Sequence, residues 1–228
     1  MAYRRTAFAI NEWYHCYTRT IDKSRPFEQQ AHVERFLESL YLANDSAPIP
    51  KIPVLRETYS HDEIFSLQRE NCLVDIGSYC IMPTHYHILL KPRTDNGITD
   101  FMHKLGTSFT RSFNLQHQRI GNLFVKPFRS KHVPDDRYLY RVSQYIHLNP
   151  VELFEPEWKR GIINSHTEIK QQLLSYPHNS LLEYEGIERP QASILDPEAM
   201  ALMKNEVIDL KSLLDEMIEY YQFLDLDL

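Results

Sequence analysis

The fold is constrained most by two consecutive β-rich stretches in the sequence. CLVDIGSYCIMP occupies residues 72–83 and THYHILLKP occupies residues 84–92, with Pro83 at their junction. Both stretches are apolar and rich in β-branched or aromatic residues, which favours strands. Because strands joined by so short a turn pair antiparallel, we expect a hairpin at this point.

Helical patterns lie on both sides of the hairpin. Apolar side chains recur at helical spacing over 27–43 and 97–117. A further helix over 135–150 begins with two aspartates and ends near Asn149, because Pro150 discourages helical geometry in the residue before it. The other predicted elements are a strand over 7–20, a loop over 44–53, a short helix over 60–70, an irregular strand or hairpin over 121–133 and an amphipathic helix over 197–224. We therefore predict an α+β fold, a ferredoxin-like (RRM-like) antiparallel sheet covered by helices, with a helical C-terminal extension.

Charge is distributed unevenly along the chain. The formal net charge of -6 excludes a uniformly basic nucleic-acid binder. Residues 91–142, however, hold ten basic and four acidic side chains, whereas residues 183–228 hold three basic and twelve acidic ones. These runs are either solvated faces or a basic nucleic-acid groove followed by an acidic helical appendage.

Other features argue against several classes of protein. The chain has six glycines and neither GxGxxG nor GxxxxGK[ST], which disfavours a dinucleotide fold and a P-loop NTPase. Three cysteines without CxxC spacing argue against a disulfide framework or a cysteine zinc site and fit a reducing cytosol. No apolar run approaches the length of a membrane span, so we expect a cytoplasmic protein with no membrane partner.

Two short motifs contain the side chains suited to chemistry. His85 and His87 project from the same face of a strand, and two imidazoles on one face suit a divalent metal ion. The alternative is a pair of structural histidines in a sheet. Tyr145 and Asn149 lie four residues apart and share one face of a helix. Alternatively, Tyr145 packs in the core and Asn149 only ends the helix.

Together these motifs resemble a known family. PTHYHILLKP (83–92) is similar to the paired-histidine "HUH" strand of single-strand DNA nucleases and transposases. QYIHLNPV (144–151) is similar to the nucleophile helix of their single-tyrosine branch, and within it the chain most resembles REP-associated tyrosine transposases. Further matching segments are WYHCYTRT (13–20), GNLFVKPFRSKHV (121–133) and YPHNSLLEYEG (176–186). The resemblance implies a single-tyrosine HUH transposase domain over 1–186 and leaves 187–228 as an acidic helical extension.

The resemblance also implies roles for the motif residues. His85 and His87 match the metal-binding histidines, Asn149 the polar residue that completes the metal site, and Tyr145 the nucleophile. The implied cofactor is Mg²⁺ or Mn²⁺, and the implied activity is site-specific cleavage and transfer of single-stranded DNA at palindromic hairpins through a covalent 5′-phosphotyrosine. Tyr86 stands where the family usually has an apolar residue, and it faces away from the metal site.

The basic middle of the chain supplies the predicted DNA contacts. The expected DNA-binding residues are Lys104, Arg111, Lys126, Arg129, Lys131 and His132. Phe124 and Phe128 either stack on bases or belong to the core. The acidic extension is a stabilising helix, a dimer contact or a mimic of DNA, and the sequence leaves both monomer and homodimer open.

Two other functions are compatible with the same residues. The first is a domesticated, non-catalytic protein of the same fold that binds DNA hairpins. The second is a metal-dependent phosphodiesterase that forms no covalent intermediate, which would use the histidines but not Tyr145.

Overall fold

One antiparallel sheet organises the chain, of which the computed structural model describes residues 7–204 and 210–224. Its strands are β1 (Trp13–Arg19), β2 (Val74–Met82), β3 (His85–Pro92) and β4 (Arg129–Val133). They lie in the order β2-β3-β1-β4, and each neighbouring pair is antiparallel. With helices between β1 and β2 and between β3 and β4, this is the βαββαβ arrangement of ferredoxin-like folds. The predicted fold class is confirmed.

Helices lie between the strands and after them. The described helices are α1 (Gln30–Leu42), α2 (Ile52–Leu55), α3 (His61–Ile64), α4 (Gly97–Gln116), α5 (Asp136–Leu148), α6 (Val151–Phe154), α7 (His166–Ser175), α8 (Leu181–Tyr184), α9 (Pro197–Met203) and α10 (Leu210–Leu224). None of the described helices is both long enough and apolar enough to cross a membrane.

Local sequence signals account for several helix boundaries. At α3, the Ser60 side chain and the Glu63 side chain each bind the other's backbone N–H, which is the capping box that the Ser-x-x-Glu pattern at 60–63 favours. The helix stops at Ile64, earlier than predicted, where the Ser66 hydroxyl donates to the Glu63 carbonyl. If the α-helix continued, the Glu63 carbonyl would accept a hydrogen bond from the N–H of Leu67. The hydrogen bond from the Ser66 hydroxyl competes with that backbone bond.

The two faces of the sheet are covered by different elements. Along β3, Tyr86 and Ile88 point into an apolar core with α1 and α4, together with a cluster of phenylalanines. Leu89 points to the other face, where it packs with Leu139 and Ile146 of α5. Side-chain alternation along β3 places His85 and His87 on this second face. The sheet therefore separates the main core from the face that holds the paired histidines.

The C-terminal extension packs against the rest of the chain. It was predicted as one helix, but α9 ends at Met203 and α10 begins at Leu210; residues 205–209 lie outside the described part. Leu214 of α10 is buried in a cluster with Trp158. The Arg189 guanidinium lies 2.7 Å from the Glu183 carboxylate, so an ion pair crosses the predicted boundary at 186/187.

Candidate active site

The paired histidines lie at the start of β3. His85 is half-buried and His87 is 6% exposed, and the centroids of their rings are 5.2 Å apart. The register places His87 opposite Tyr17 of β1, which in turn lies opposite Arg129 of β4. This row, which crosses three strands, forms the floor of the candidate site.

Hydrogen bonds fix the orientation of both imidazoles. The Nδ1 of His85 lies 3.0 Å from the Thr84 hydroxyl, and the Nδ1 of His87 lies 2.8 Å from the Nε2 of His15. Both contacts use Nδ1, so Nε2 is the nitrogen through which each ring can bind a metal ion. Metal-binding histidines typically make such a second contact through the other ring nitrogen.

His15 is a site residue that sequence reasoning missed. It is 8% exposed, and its ring stacks on that of His87 with a centroid distance of 4.9 Å. The alternation of side chains in WYHCYTRT places His15 and Tyr17 on one face of β1. The sequence alone does not show which residues of β3 lie beside them, because that depends on the register.

Tyr145 reaches the same place from helix α5. The Asp135 carboxylate accepts a hydrogen bond from the Tyr138 N–H and begins this helix, which then packs its apolar side chains on the sheet. The Tyr145 ring is half-buried and meets the rings of His87 and His15 edge to face, with centroid distances of 5.5 and 5.6 Å. The structure therefore brings the two predicted motifs together.

Asn149 lies at the end of α5 and is 3% exposed. Its amide nitrogen donates to the Tyr145 carbonyl at 2.8 Å. A metal ion would bind the amide oxygen, which this hydrogen bond does not use. The contact ties the predicted third ligand to the backbone of the predicted nucleophile.

Burial keeps the histidines of the site neutral. Desolvation lowers the pKa of His87 well below its ordinary value, and His15 and His85 lower it further. Desolvation also lowers the pKa of His85, against an opposing effect of Glu152. Desolvation and then the nearby Lys131 lower the pKa of His15 to about 3. A neutral imidazole is the form that binds metal.

The donor set fits a divalent ion with open coordination positions. Within the described ranges, no group of three or more His, Cys, Asp or Glu side chains is placed to hold a metal ion. The donors that the motifs predict are two imidazole nitrogens and one amide oxygen. Such a mixed set suits Mn²⁺ or Mg²⁺ and leaves room for oxygens of a substrate.

A basic cleft of about 420 Å³ opens beside the histidines. His85, His87 and Tyr17 contribute to its wall. Its basic lining residues are Arg19, Lys23, Arg25 and Arg129. Sequence reasoning missed the first three because they belong to an N-terminal half without excess positive charge. In β1 the signal was present, because Arg19 continues the alternation that begins at His15.

The six predicted DNA-binding residues occupy different surfaces. Arg129 lines the cleft, and Lys131 lies opposite His15 on the same face of the sheet. His132 points to the other face and binds the Glu12 carboxylate at 2.8 Å. The remaining three line other cavities: Lys126 lines a second cavity, and Lys104 and Arg111 line a third one beside residues 48–54.

Phe124 is 4% exposed and belongs to the core of the first sheet face. Phe128 is half-buried and stacks on Phe8 at a centroid distance of 6.3 Å. His147, by contrast with His85 and His87, is enclosed away from the cleft, with its Nε2 2.9 Å from the Ser180 hydroxyl. Burial and this contact indicate a structural role for His147.

Comparison with known proteins bears on this arrangement. A solved structure of a REP-associated tyrosine transposase bound to a REP hairpin is similar over 84% of this chain and 90% of that chain, with 15% sequence identity and a TM-score of 0.49. None of the curated proteins matches the chain. The family model described as IS200-like transposase matches residues 55–149. Over this span, which includes both histidines of β3, Tyr145 and Asn149, the chain is similar to the IS200-like transposases, as its motifs predict.

Proposed function

We propose that the protein is a REP-associated tyrosine transposase, a metal-dependent enzyme that cleaves and transfers single-stranded DNA at palindromic hairpins. The observation that supports this most directly is the convergence of Tyr145 with His87 across the junction of α5 and the sheet, at 5.5 Å between ring centroids. A structural pair of sheet histidines has no need of a tyrosine and an asparagine from another element.

In the proposed reaction, Tyr145 is the nucleophile. Its phenolate oxygen forms a bond to phosphorus, and the bond from phosphorus to the 3′ oxygen breaks. The phenol gives up its proton to water as it attacks, and the 3′ oxygen takes up a proton from water and leaves as a hydroxyl. The strand stays attached as a 5′-phosphotyrosine. The covalent link retains the energy of the broken bond, so a later 3′-OH can replace the tyrosine without ATP.

The other residues hold the reacting groups in place. His85, His87 and the amide oxygen of Asn149 would hold Mg²⁺ or Mn²⁺, which supplies positive charge to a non-bridging phosphate oxygen. The Asn149 amide also binds the Tyr145 carbonyl and so fixes the last turn of α5. Arg19 and Arg129 line the adjacent cleft, where they would bind neighbouring phosphates of the strand.

Tyr17 offers a matched control for the nucleophile. Its ring centroid also lies 5.5 Å from that of His87, but it belongs to β1 and stacks on the imidazole instead of meeting it edge to face. Incubation with hairpin oligonucleotides and Mn²⁺ or Mg²⁺ should give a covalent adduct that denaturing electrophoresis detects. We expect Tyr145→Phe and EDTA to abolish the adduct, and Tyr17→Phe to retain it.

The other outcomes separate the competing functions. An adduct that survives Tyr145→Phe but not Tyr17→Phe would show that the nucleophile is wrongly assigned. Cleavage with no trapped adduct would indicate a phosphodiesterase that uses water. Tight hairpin binding without cleavage of any oligonucleotide would indicate a non-catalytic DNA-binding protein.

A further inference from the structure

A second cavity adjoins the basic cleft on the opposite side of β1. It measures about 610 Å³ and lies between α4 and residues 124–128. The two cavities share Thr18, Val125 and Pro127 as lining residues, so they lie next to each other. Its size is that of a pocket for a small ligand. The proposed catalytic chemistry uses none of the residues unique to this cavity.

Tyr86 lines this cavity and has no assigned role. Its side chain is 2% exposed, and its ring packs against Phe36 and Phe124 with centroid distances of 4.8 and 5.4 Å. No residue within the described ranges forms a hydrogen bond with its hydroxyl. The hydroxyl oxygen is not sealed inside the core, so it reaches the open space of the cavity that the side chain lines. The hydroxyl is therefore available to a ligand in the cavity.

Gly106 keeps one wall of the cavity open. It lies in the middle of α4, where glycine is unfavourable relative to almost any other residue. A Cβ atom at this position would meet no other atom within 4 Å, so the space beside the helix is empty. Thr107 and Thr110, one and four residues farther along α4, add hydroxyls to the same lining.

The lining suits a ligand that is aromatic on one side and anionic on the other. Phe124, Tyr86 and Met102 are buried and apolar, whereas Lys126 and His103 are exposed. None of the lining residues carries a carboxylate. Lys126 forms no ion pair with the part of the chain that the structure describes. An unpaired nucleotide combines a flat base with a phosphate and matches this lining.

We propose that this cavity binds one unpaired nucleobase of the DNA strand whose phosphates follow the basic cleft. The proposal rests on the proposed function, because it takes the strand in the cleft to be DNA. The base packs against the apolar lining, the Tyr86 hydroxyl bonds to a polar edge of the base, and Lys126 binds the attached phosphate. The pocket makes one nucleotide in the single-stranded flank of the hairpin a determinant of specificity.

An abasic scan combined with a cavity-filling variant tests this proposal. The Tyr145→Phe protein, which binds without cutting, is titrated with hairpin oligonucleotides that have one abasic site at successive flank positions. We expect one position to weaken binding about tenfold, within the range for loss of one stacked base. In Gly106→Leu, which fills the cavity, binding of the intact oligonucleotide falls about tenfold and the same abasic site has no further effect.

Ser112→Leu is the matched control. It introduces the same side chain on α4 but beside the cavity of residues 48–54, so the abasic profile should stay as in the parent. Gly106→Leu should unfold at the same or a higher temperature, because leucine favours a helix over glycine. Tyr86→Phe should retain the abasic effect and reduce discrimination among the four bases at that position.

The results distinguish this proposal from the proposed function. If no abasic position weakens binding, the proposed pocket is wrong. It is also wrong if a position weakens binding equally in the parent and in Gly106→Leu. Both conclusions hold even if the protein with Tyr145 intact forms its adduct. A position that depends on Gly106 supports the pocket even if no adduct forms, in which case only the proposed chemistry fails. Absence of any DNA binding overturns both.

Discussion

The Nε2 of His15 lies 2.8 Å from the Nδ1 of His87, and the two rings stack on neighbouring strands. A neutral His87 that offers Nε2 to a metal must have its proton on Nδ1. The Nδ1–H then donates to His15, whose Nε2 must be the acceptor. This contact selects one tautomer of each ring, so His15 is a positioning residue for the proposed metal site.

Replacing His15 should therefore affect metal binding according to whether an acceptor remains. We expect His15→Leu to weaken Mn²⁺ binding about 10–100-fold, the usual effect of losing the hydrogen-bond partner of a metal ligand. His15→Gln places an amide oxygen near the lost Nε2 and should retain most of the affinity. Calorimetric titration with Mn²⁺ measures both variants without relying on activity. Equal affinities for His15→Leu and the parent would rule out the positioning role.

Buried histidines should make the fold sensitive to mild acid. Burial lowers the pKa of both His147 and His15 to about 3, from an ordinary value of 6.5. Below pH 6.5 the unfolded chain binds protons that the folded one does not, so the free energy of unfolding falls as the pH falls. Each such histidine contributes about 1.4 kcal/mol per pH unit.

Urea unfolding between pH 6.5 and 5 measures this slope above the range in which most carboxylates titrate. His147→Gln should reduce the slope by the contribution of one histidine, whatever its effect on stability at pH 7. An unchanged slope in His147→Gln would contradict the assigned pKa.

Basic residues should differ in their contribution to DNA binding according to their surface. Arg129 is exposed and lines the cleft beside His85, whereas the Lys104 ammonium donates to the carbonyls of Asp45 and Ala47 in another cavity. Arg129→Gln should remove one phosphate contact and reduce the slope of log affinity against log salt by about 1. Lys104→Gln should leave that slope unchanged. A reduced slope in Lys104→Gln together with an unchanged slope in Arg129→Gln would instead indicate that the DNA strand runs along α4.

The acidic extension should stabilise the fold through α10. Leu214 is fully buried beside Trp158, and Met217 is 2% exposed. Leu214→Ala should reduce the free energy of unfolding by about 2–5 kcal/mol. Glu216→Ala, on the exposed side of the same helix, should change it by less than about 0.5 kcal/mol. Denaturant titration compares them, and equal stability would mean that α10 is a dispensable appendage.

The sequence predicts the order of helices and strands along the chain better than the surfaces that surround the site. Alternation of side chains places His85 and His87 on one face, and helical spacing pairs Tyr145 with Asn149, so local periodicity suffices for the two motifs. His15 and Arg19 were missed because their role depends on the register of β1 against β3, a long-range property. Net charge by segment does not distinguish these surfaces, for the same reason: Lys104 belongs to the basic segment but lies in another cavity.

Helix boundaries were predicted where a capping side chain is present. Ser60 accepts the expected backbone N–H, and Asp135, which was predicted in the first turn, caps its helix by accepting the N–H of Tyr138. The early end of α3 depends on a hydroxyl that competes with a backbone donor, which helical periodicity does not reveal. The N-terminal strand starts at Trp13, later than predicted, because only residues from there pair with β3 and β4.

Tyr145 meets the His87 imidazole of its own chain, so the proposed nucleophile and this proposed metal ligand belong to one protomer. The rate of adduct formation per chain should then stay constant as the protein is diluted. Mixing Tyr145→Phe chains with His87→Ala chains should restore no adduct, since neither contains a complete set. Recovery of activity in the mixture would instead mean that the helix is exchanged between copies. The placement of α5 thus makes the kinetic order of the reaction in protein an observable consequence of the fold.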